Sequence, residues 1–292
     1  MRNDGFPHHT NQPYISYLKD RSMTLKVTFD TNVFTRFIDL EKGLDKIHYE
    51  NILKAIRSEA IRGYFSDTFV TLEGIMKIDR ERILGSRRIS FLTSSESPNR
   101  INITIGTSMC EPNLHDSHLC TVSSLLKLGL WGLRGLAYLG DNFSVPSNID
   151  LYESISVDAL RQYRERMGNV EIAIANRNQK TDEHVGKCRA RELGLKWLKR
   201  DQRDGEIWYQ GLGLAKDKPE SQQIVKAIAE WADGESIIRH IGYGNGYFCT
   251  SDKGKSANGA SIFDDSHREW LACEFGVKFV TPKELSEVIS RS

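Results

Sequence analysis

The sequence predicts an α/β fold built on a parallel sheet, and three observations carry that prediction. Leu25, Val27 and Phe29 alternate with Lys26 and Thr28, the period of a strand, and the run ends in an acid, Asp30. The chain then reads helix, strand and helix again before residue 78. After residue 220 helix and strand alternate once more, and a second strand candidate ends in an acid, Asp252.

Taken in order, the polar stretch 1–23 holds His8, His9, Pro7 and Pro13 and no apolar run, so it reads as a flexible arm. The first strand stops at Asp30, Thr31 and Asn32. A helix is expected over 44–61, where Leu44, Ile47, Ile52, Ala55, Ile56 and Ala60 recur at helical spacing opposite Lys46, Glu50, Lys54 and Arg57. Gly63 should end it, Tyr64 to Ser66 should form a short strand, and Asp67 or Thr68 should cap a following helix that carries Glu73 early on. From 80 to 219 the pattern loosens into a mostly helical insertion of unknown role. It contains a basic cluster, the polar run 93–99, an alternating Ile101, Ile103 and Ile105, and helices near 156–177 and 181–200.

Order returns with a helix from about 219, where Ile224, Val225, Ile228 and Trp231 share a face; Asp233-Gly234 should interrupt it. Gly242 to Gly246 is a glycine-rich turn before the strand 247–250. It precedes a strand instead of following one and opening a helix, so it fails the context of a phosphate loop. A helix near 264–275, the strand 277–280 and a last helix opened by Thr281-Pro282 complete the chain. The domain division expected is therefore 1–23, then 24–79 joined to 220–292, with 80–219 inserted.

Composition narrows the function classes. With 40 Lys plus Arg against 39 Asp plus Glu, the formal charge is +1, so nucleic-acid binding must come from local patches and not from the whole-chain field. Five scattered cysteines (110, 120, 188, 249 and 273) suit a reducing compartment better than a disulfide framework. The most apolar stretch, 125–139, carries Lys127, Arg134 and several glycines, so no membrane partner is expected and the chain reads as cytoplasmic.

The chemistry-bearing residues are acids at strand and helix ends. In an open α/β sheet, ligands bind outside the carboxyl ends of the strands. Asp30, Glu73, Asp233 and Asp252 could converge there, where they would repel one another unless a hard divalent cation such as Mg²⁺ or Mn²⁺ joined them. Thr31, Asn32 and Ser251 are placed to orient the ligands or a bound water. The third acid stays open between Asp233 and Glu235, because Gly234 disturbs the helix at that point. Asp264 and Asp265 could add a carboxylate or cap a helix. A phosphatase of the haloacid-dehalogenase type would need an Asp two positions after Asp30, where Asn32 stands.

Phe29-Asp30-Thr31-Asn32-Val33, Thr71-Leu72-Glu73, Ala232-Asp233, Thr250-Ser251-Asp252-Lys253 and Gly276 to Pro282 together resemble a PIN-domain nuclease. The resemblance covers about 24–79 and 220–290, and the separation of Glu73 from Asp233 far exceeds the compact form of that family. It implies a three-layer α/β/α fold with a central parallel sheet. It also implies Mg²⁺- or Mn²⁺-dependent cleavage of RNA, with Asp30, Glu73, Asp233 and Asp252 as metal-site and catalytic acids. Many bacterial members are toxins of toxin–antitoxin pairs, so an antitoxin or other protein is a candidate partner, and a dimer is compatible. A catalytically silent scaffold whose insertion recognises a protein or RNA is the alternative.

Two basic faces could hold RNA phosphates: Arg80, Arg82, Arg87 and Arg88, and the helix carrying Lys187, Arg189, Arg191, Lys196, Lys199 and Arg200. Such runs are also ordinary solvated faces. Cys110, His115, His118 and Cys120 could bind zinc, although their spacing matches no structural zinc pattern.

Overall fold

A computed structural model describes residues 24–40, 45–86, 88–97, 100–108, 116–135, 149–254 and 260–291. The 1–23 arm, Arg87, Cys110 and His115 lie outside these. The elements run β1 (Leu25–Phe29), α1 (Thr31–Phe34), α2 (Lys46–Arg57), β2 (Ile61–Ser66), α3 (Arg80–Gly85), β3 (Arg88–Ser97), β4 (Arg100–Ser108), α4 (Asp116–Lys127), β5 (Leu130–Leu133), α5 (Val157–Thr181), α6 (Lys187–Arg200), α7 (Trp208–Gly211), α8 (Lys218–Tyr243), β6 (Tyr247–Cys249), α9 (Asp265–Phe275), β7 (Lys278–Val280) and α10 (Pro282–Arg291).

Five strands form one sheet in the order β5-β2-β1-β6-β7, and every pairing is parallel. The fold is therefore α/β with a wholly parallel sheet. Helices cover both faces, as parallel sheets require. Val27 and Phe29 of β1 pack with Ile52 and Ile56 of α2, Val122 and Leu125 of α4 and Leu285 of α10. On the other face Phe248 of β6 packs with Ile237 and Ile238 of α8, Met167 and Val170 of α5 and Leu271 of α9. Among the described residues no helix is long and apolar enough to cross a membrane.

The segment 80–219, expected as an insertion, takes part in this architecture. Its β5 pairs with β2 from Gly63↔Leu130 to Ser66↔Leu133 and supplies an edge of the sheet. Its α6 and α7, with α3, build a further core around Trp231, Trp208 and Trp197 on the first half of α8. That half extends beyond the sheet. The ten residues from Asp233 to the end of α8 span about 15 Å, much as the five residues of β1 do. Asp233 thus lies level with the carboxyl edge of the strands, and the middle segment caps what projects past it.

Several local expectations change. Gly63 lies within β2 instead of ending α2. A Cβ there would come within 3.1–3.3 Å of Leu130, Phe29 and Ile56, so a bare residue lets α2 cross the sheet closely. The residues after Ser66 form a 3-10 turn, Asp67–Val70, and Glu73 sits in the irregular chain beyond it, not in a helix. The polar run 93–97 is strand, because it belongs to β3, which pairs antiparallel with β4 through backbone bonds that need no apolar side chain.

Asp233-Gly234 does not interrupt α8, which is continuous over 26 residues. Gly234 instead permits a close approach: a Cβ on it would stand 2.8 Å from Cα of Gly186, which itself takes a φ of +61° that glycine adopts readily. Gly234→Val should destabilise the chain by about 1–3 kcal/mol through overpacking. Urea unfolding would measure this, and a wild-type midpoint would remove the close-approach argument.

Candidate active site

The strand order decides where a site can form. From β1 the chain moves outward to β2 and then β5; it returns on the other side of β1 for β6 and β7. The order reverses between β1 and β6, and the crevice at such a switch point, outside the strand carboxyl ends, is where α/β sheets bind ligands. Asp30 follows β1 and Thr250 to Asp252 follow β6, so both acid-bearing loops flank that crevice.

Asp30 is the most tightly fixed of the acids. Its own amide donates to Cys249 O (3.0 Å), which ties it to the end of β6. Its Oδ1 accepts from Thr31 N at 2.8 Å, and its Oδ2 accepts from Asn32 Nδ2 at 2.6 Å and Thr250 Oγ1 at 2.7 Å. Asn32 Oδ1 in turn accepts from Ser251 N at 3.1 Å, so Asn32 bridges the two loops. Thr31 Oγ1 donates to Glu73 Oε1 at 3.2 Å, and Thr68 Oγ1 donates to the same oxygen at 3.1 Å. Asp252 Oδ1 accepts from Gly254 N at 2.8 Å, and its carbonyl accepts from the Arg268 guanidinium. Thr31 and Asn32 therefore join the loops through their side chains, and Ser251 does so through its backbone amide. Thr250, Thr68 and Arg268 were not singled out as orienting residues. The polar residue next to Ser251-Asp252 was a visible signal for Thr250, whereas Arg268 reaches the site from α9 and leaves no local mark.

Electrostatics tie the four acids together. Burial pushes Asp30 up from the usual carboxylate range, and the nearby charge of Asp252 adds to that, against the lowering effect of its three hydrogen bonds. Burial, followed by the charge of Asp30, raises Glu73 to about 7. Asp233 is raised well above its ordinary value, first by burial and then by Asp30, Glu230, Glu73 and Asp252. The Asp233 carboxylate accepts no side-chain or loop hydrogen bond among the described residues.

Glu235 behaves differently. It is 3% exposed, its Oε2 meets Arg239 Nη1 at 2.6 Å, and its Oε1 accepts from Trp231 Nε1 at 3.2 Å. The structure brings Asp233, and not Glu235, to the other acids. Glu230 lies one turn before Asp233, with Oε1 accepting from Gly186 N (3.0 Å) and Ile262 N (2.8 Å), and so pins two loops to α8.

The basic cluster divides. Arg80 is only 6% exposed, and its guanidinium donates to the carbonyls of Ile75, Val225 and Glu73. It is a brace behind the Glu73 turn, which corrects its expected role at a phosphate. Arg82 is exposed and pairs with Asp79 at 2.9 Å; Arg88 is exposed and donates to Gly85 O at 3.0 Å. Of the zinc candidates, His118 and Cys120 sit two positions apart on α4, a spacing that points them to different sides of a helix. His118 packs on Phe69 with ring centroids 4.9 Å apart. Asp264 caps α9 by accepting from His267 N at 2.8 Å, and is thereby a capping residue.

Whether a divalent cation suits the site depends on donor chemistry. All four acids offer hard oxygen donors, the recorded bonds to Glu73 fall on Oε1 alone, and the Asp233 carboxylate has no side-chain partner among the described residues. Such a set fits Mg²⁺ or Mn²⁺, which take oxygen ligands and often keep several waters. Among the described residues, no three His, Cys, Asp or Glu side chains stand together so as to hold a metal as they lie. No protein-family model matches the chain, and no curated protein or solved structure does either.

Proposed function

We propose that the protein is a metal-dependent endoribonuclease of the PIN type, with Asp30, Glu73, Asp233 and Asp252 as its acids. The observation that supports this reading is that Asp30 and Asp252 flank the switch point of a parallel sheet, where burial and neighbouring carboxylates raise Asp30, Glu73 and Asp233. Buried acids raised by neighbouring carboxylates call for a positive charge between them. A bound Mg²⁺ or Mn²⁺ would supply that charge, polarise a phosphodiester and acidify a water.

The chain's own residues divide the remaining work. Asp30 is held rigid by Thr31, Asn32 and Thr250, so it presents its remaining lone pair on Oδ1 in a fixed direction. Thr31 and Thr68 turn Glu73 so that Oε2 is left to the crevice. In the metal-free chain Glu73 is raised to about 7, chiefly by burial, and a bound cation would hold it ionised. Arg268 anchors the Asp252 loop to α9.

Incubating the protein with mixed RNA in Mn²⁺ tests this. Wild type should cleave, chelator should stop it, and Asp30→Asn or Asp233→Asn should each lower the rate by roughly a hundredfold or more. Glu235→Gln should lower stability while leaving the rate within a few-fold. Cleavage that survives both chelator and Asp30→Asn would sink the reading. One observation favours a second reading, a silent PIN-like scaffold that binds RNA or protein: the acids as they lie form no ready metal cluster among the described residues. Absence of Mn²⁺ binding by calorimetry, together with absence of cleavage, would select it.

A further inference from the structure

The groove between α6 and α8 has a chemistry that the acid cluster does not use. The two helices run antiparallel: Gly186, just before α6, meets Gly234 of α8, and Arg200 at the far end of α6 pairs with Glu220 at 2.6 Å. Between them lies a groove of about 580 Å³ lined by Arg189, Leu193, Lys196, Gln223, Lys226 and Ala227. Glu192 also lines it, but its carboxylate faces His184 Nδ1 at 3.1 Å. Lys196 and Lys226 are exposed, and no described carboxylate pairs with them.

The direction of the groove follows from helical periodicity. Gln223, Lys226, Glu230 and Asp233 are spaced by three, four and three residues and share one face of α8. Lys226 therefore precedes Asp233 by seven residues, about 10 Å along the axis. Arg189 stands next to Glu230, whose carboxyl it influences. Lys226 of α8 and Lys196 and Arg189 of α6 thus line one groove below Asp233, with the buried Glu230 between Lys226 and Asp233. The groove contains no aromatic ring among its described lining residues, so it lacks the stacking platforms by which bases are usually gripped.

We propose that a single strand of RNA lies in this groove backbone first, its phosphates on Lys226, Lys196 and Arg189, and so delivers a phosphodiester to the acid cluster. This rests on the ribonuclease reading for the choice of RNA. It assigns to the middle segment the role of substrate track, and it makes recognition depend on charge and not on base identity. An anionic strand is attracted by these three cations, while the unneutralised acids beyond the groove repel it.

Binding of a fluorescent 20-nucleotide oligo-U RNA, followed by anisotropy in EDTA so that no metal-dependent cleavage occurs, tests the track. Each phosphate contact steepens the dependence of log affinity on log salt by about 0.7 for a single strand. Lys196→Gln/Lys226→Gln should therefore bind at least tenfold more weakly at low salt and lose roughly 1.4 of slope. Lys54→Gln/Arg57→Gln on α2 should match wild type, and oligo-A should bind within a few-fold of oligo-U. Both substituted lysines are exposed, so circular dichroism should show a folded variant. Unchanged affinity and slope in Lys196→Gln/Lys226→Gln overturn the track, as does a wild type that fails to bind. Cleavage read separately in Mn²⁺ keeps the two ideas apart. RNA binding through the lysines without cleavage removes the nuclease reading alone, and cleavage with KM unchanged in the double variant removes the track alone.

Discussion

Arg239→Met is expected to destabilise the protein by about 3–5 kcal/mol, the cost typical of removing one partner from a buried ion pair. Arg239 is 5% exposed; its Nε meets Asp67 Oδ1 at 2.7 Å, and its Nη1 meets Glu235 Oε2 at 2.6 Å. Asp67 Oδ2 also accepts from Gly135 N at 3.0 Å and Tyr152 Oη at 3.1 Å, so the same carboxylate holds the chain beyond β5. Methionine keeps most of the volume but leaves two acids in a dry interior with no countercharge. The large effect follows from that asymmetry, since replacing all partners together costs far less than replacing one. Urea unfolding of Arg239→Met and of Arg239→Met/Asp67→Asn/Glu235→Gln would measure both. A single variant within about 1 kcal/mol of wild type, or a triple variant worse than the single, would show that the network does not hold the fold.

Glu73→Gln is expected to stabilise the metal-free protein at pH 8, by on the order of 3 kcal/mol at most, and to lose the advantage on acidification. In the folded chain Glu73 is raised to about 7, from an ordinary value of 4.5. Between those values the folded state holds a proton that the unfolded state has released, so the contribution of Glu73 to stability falls as pH rises from 4.5 through 7. Glutamine stays neutral, and its amide oxygen can still accept from Thr31 and Thr68. The difference between wild type and variant should therefore be full above pH 7 and vanish below about 4.5.

Reading the difference is necessary because His240 acts in the opposite sense. Burial lowers it to about 3, and it contacts Thr28 Oγ1 at 2.9 Å, so wild type loses stability as pH falls below the ordinary histidine value. Mn²⁺ should reverse the ranking at pH 8 by binding the folded wild type more tightly than the variant. Thermal unfolding with and without Mn²⁺ at pH 5, 6.5 and 8 gives all these quantities. A pH-independent difference between the two proteins would mean that Glu73 is not raised by the fold.

The first half of the site was legible because its signal is local. A strand with period two that stops at Asp30-Thr31-Asn32, and another that stops at Thr250-Ser251-Asp252, announce two strand ends within a few residues each. The helices α2, α5, α6 and α10 were legible for the same reason, with boundaries moved by a few residues where Ser58 or Asp182 ends a turn. The basic residues of the 80–88 region were counted correctly, but the burial of Arg80 depends on the carbonyl of Val225, 145 positions away. The choice between Asp233 and Glu235 was illegible because both belong to one helix, and only the Trp231 and Arg239 partners of Glu235 separate them.

Alternation, acid placement and helical spacing by themselves determined an α/β chain with acids at two strand ends, since each is a property of neighbours along the chain. Tertiary structure alone decided that β5 of the middle segment edges the sheet, because a four-residue run interrupted by Gly132 is strand only when β2 is there to pair with it. It also decided that α8 continues through Gly234, where Gly186 fills the space a side chain would need, and that Arg239 pairs with Asp67, 172 positions away, as well as with Glu235. The strand order, which puts Asp30 and Asp252 on either side of one crevice, belongs to this second group: pairing between β1 and β6 joins residues more than 200 positions apart, and no local pattern encodes it.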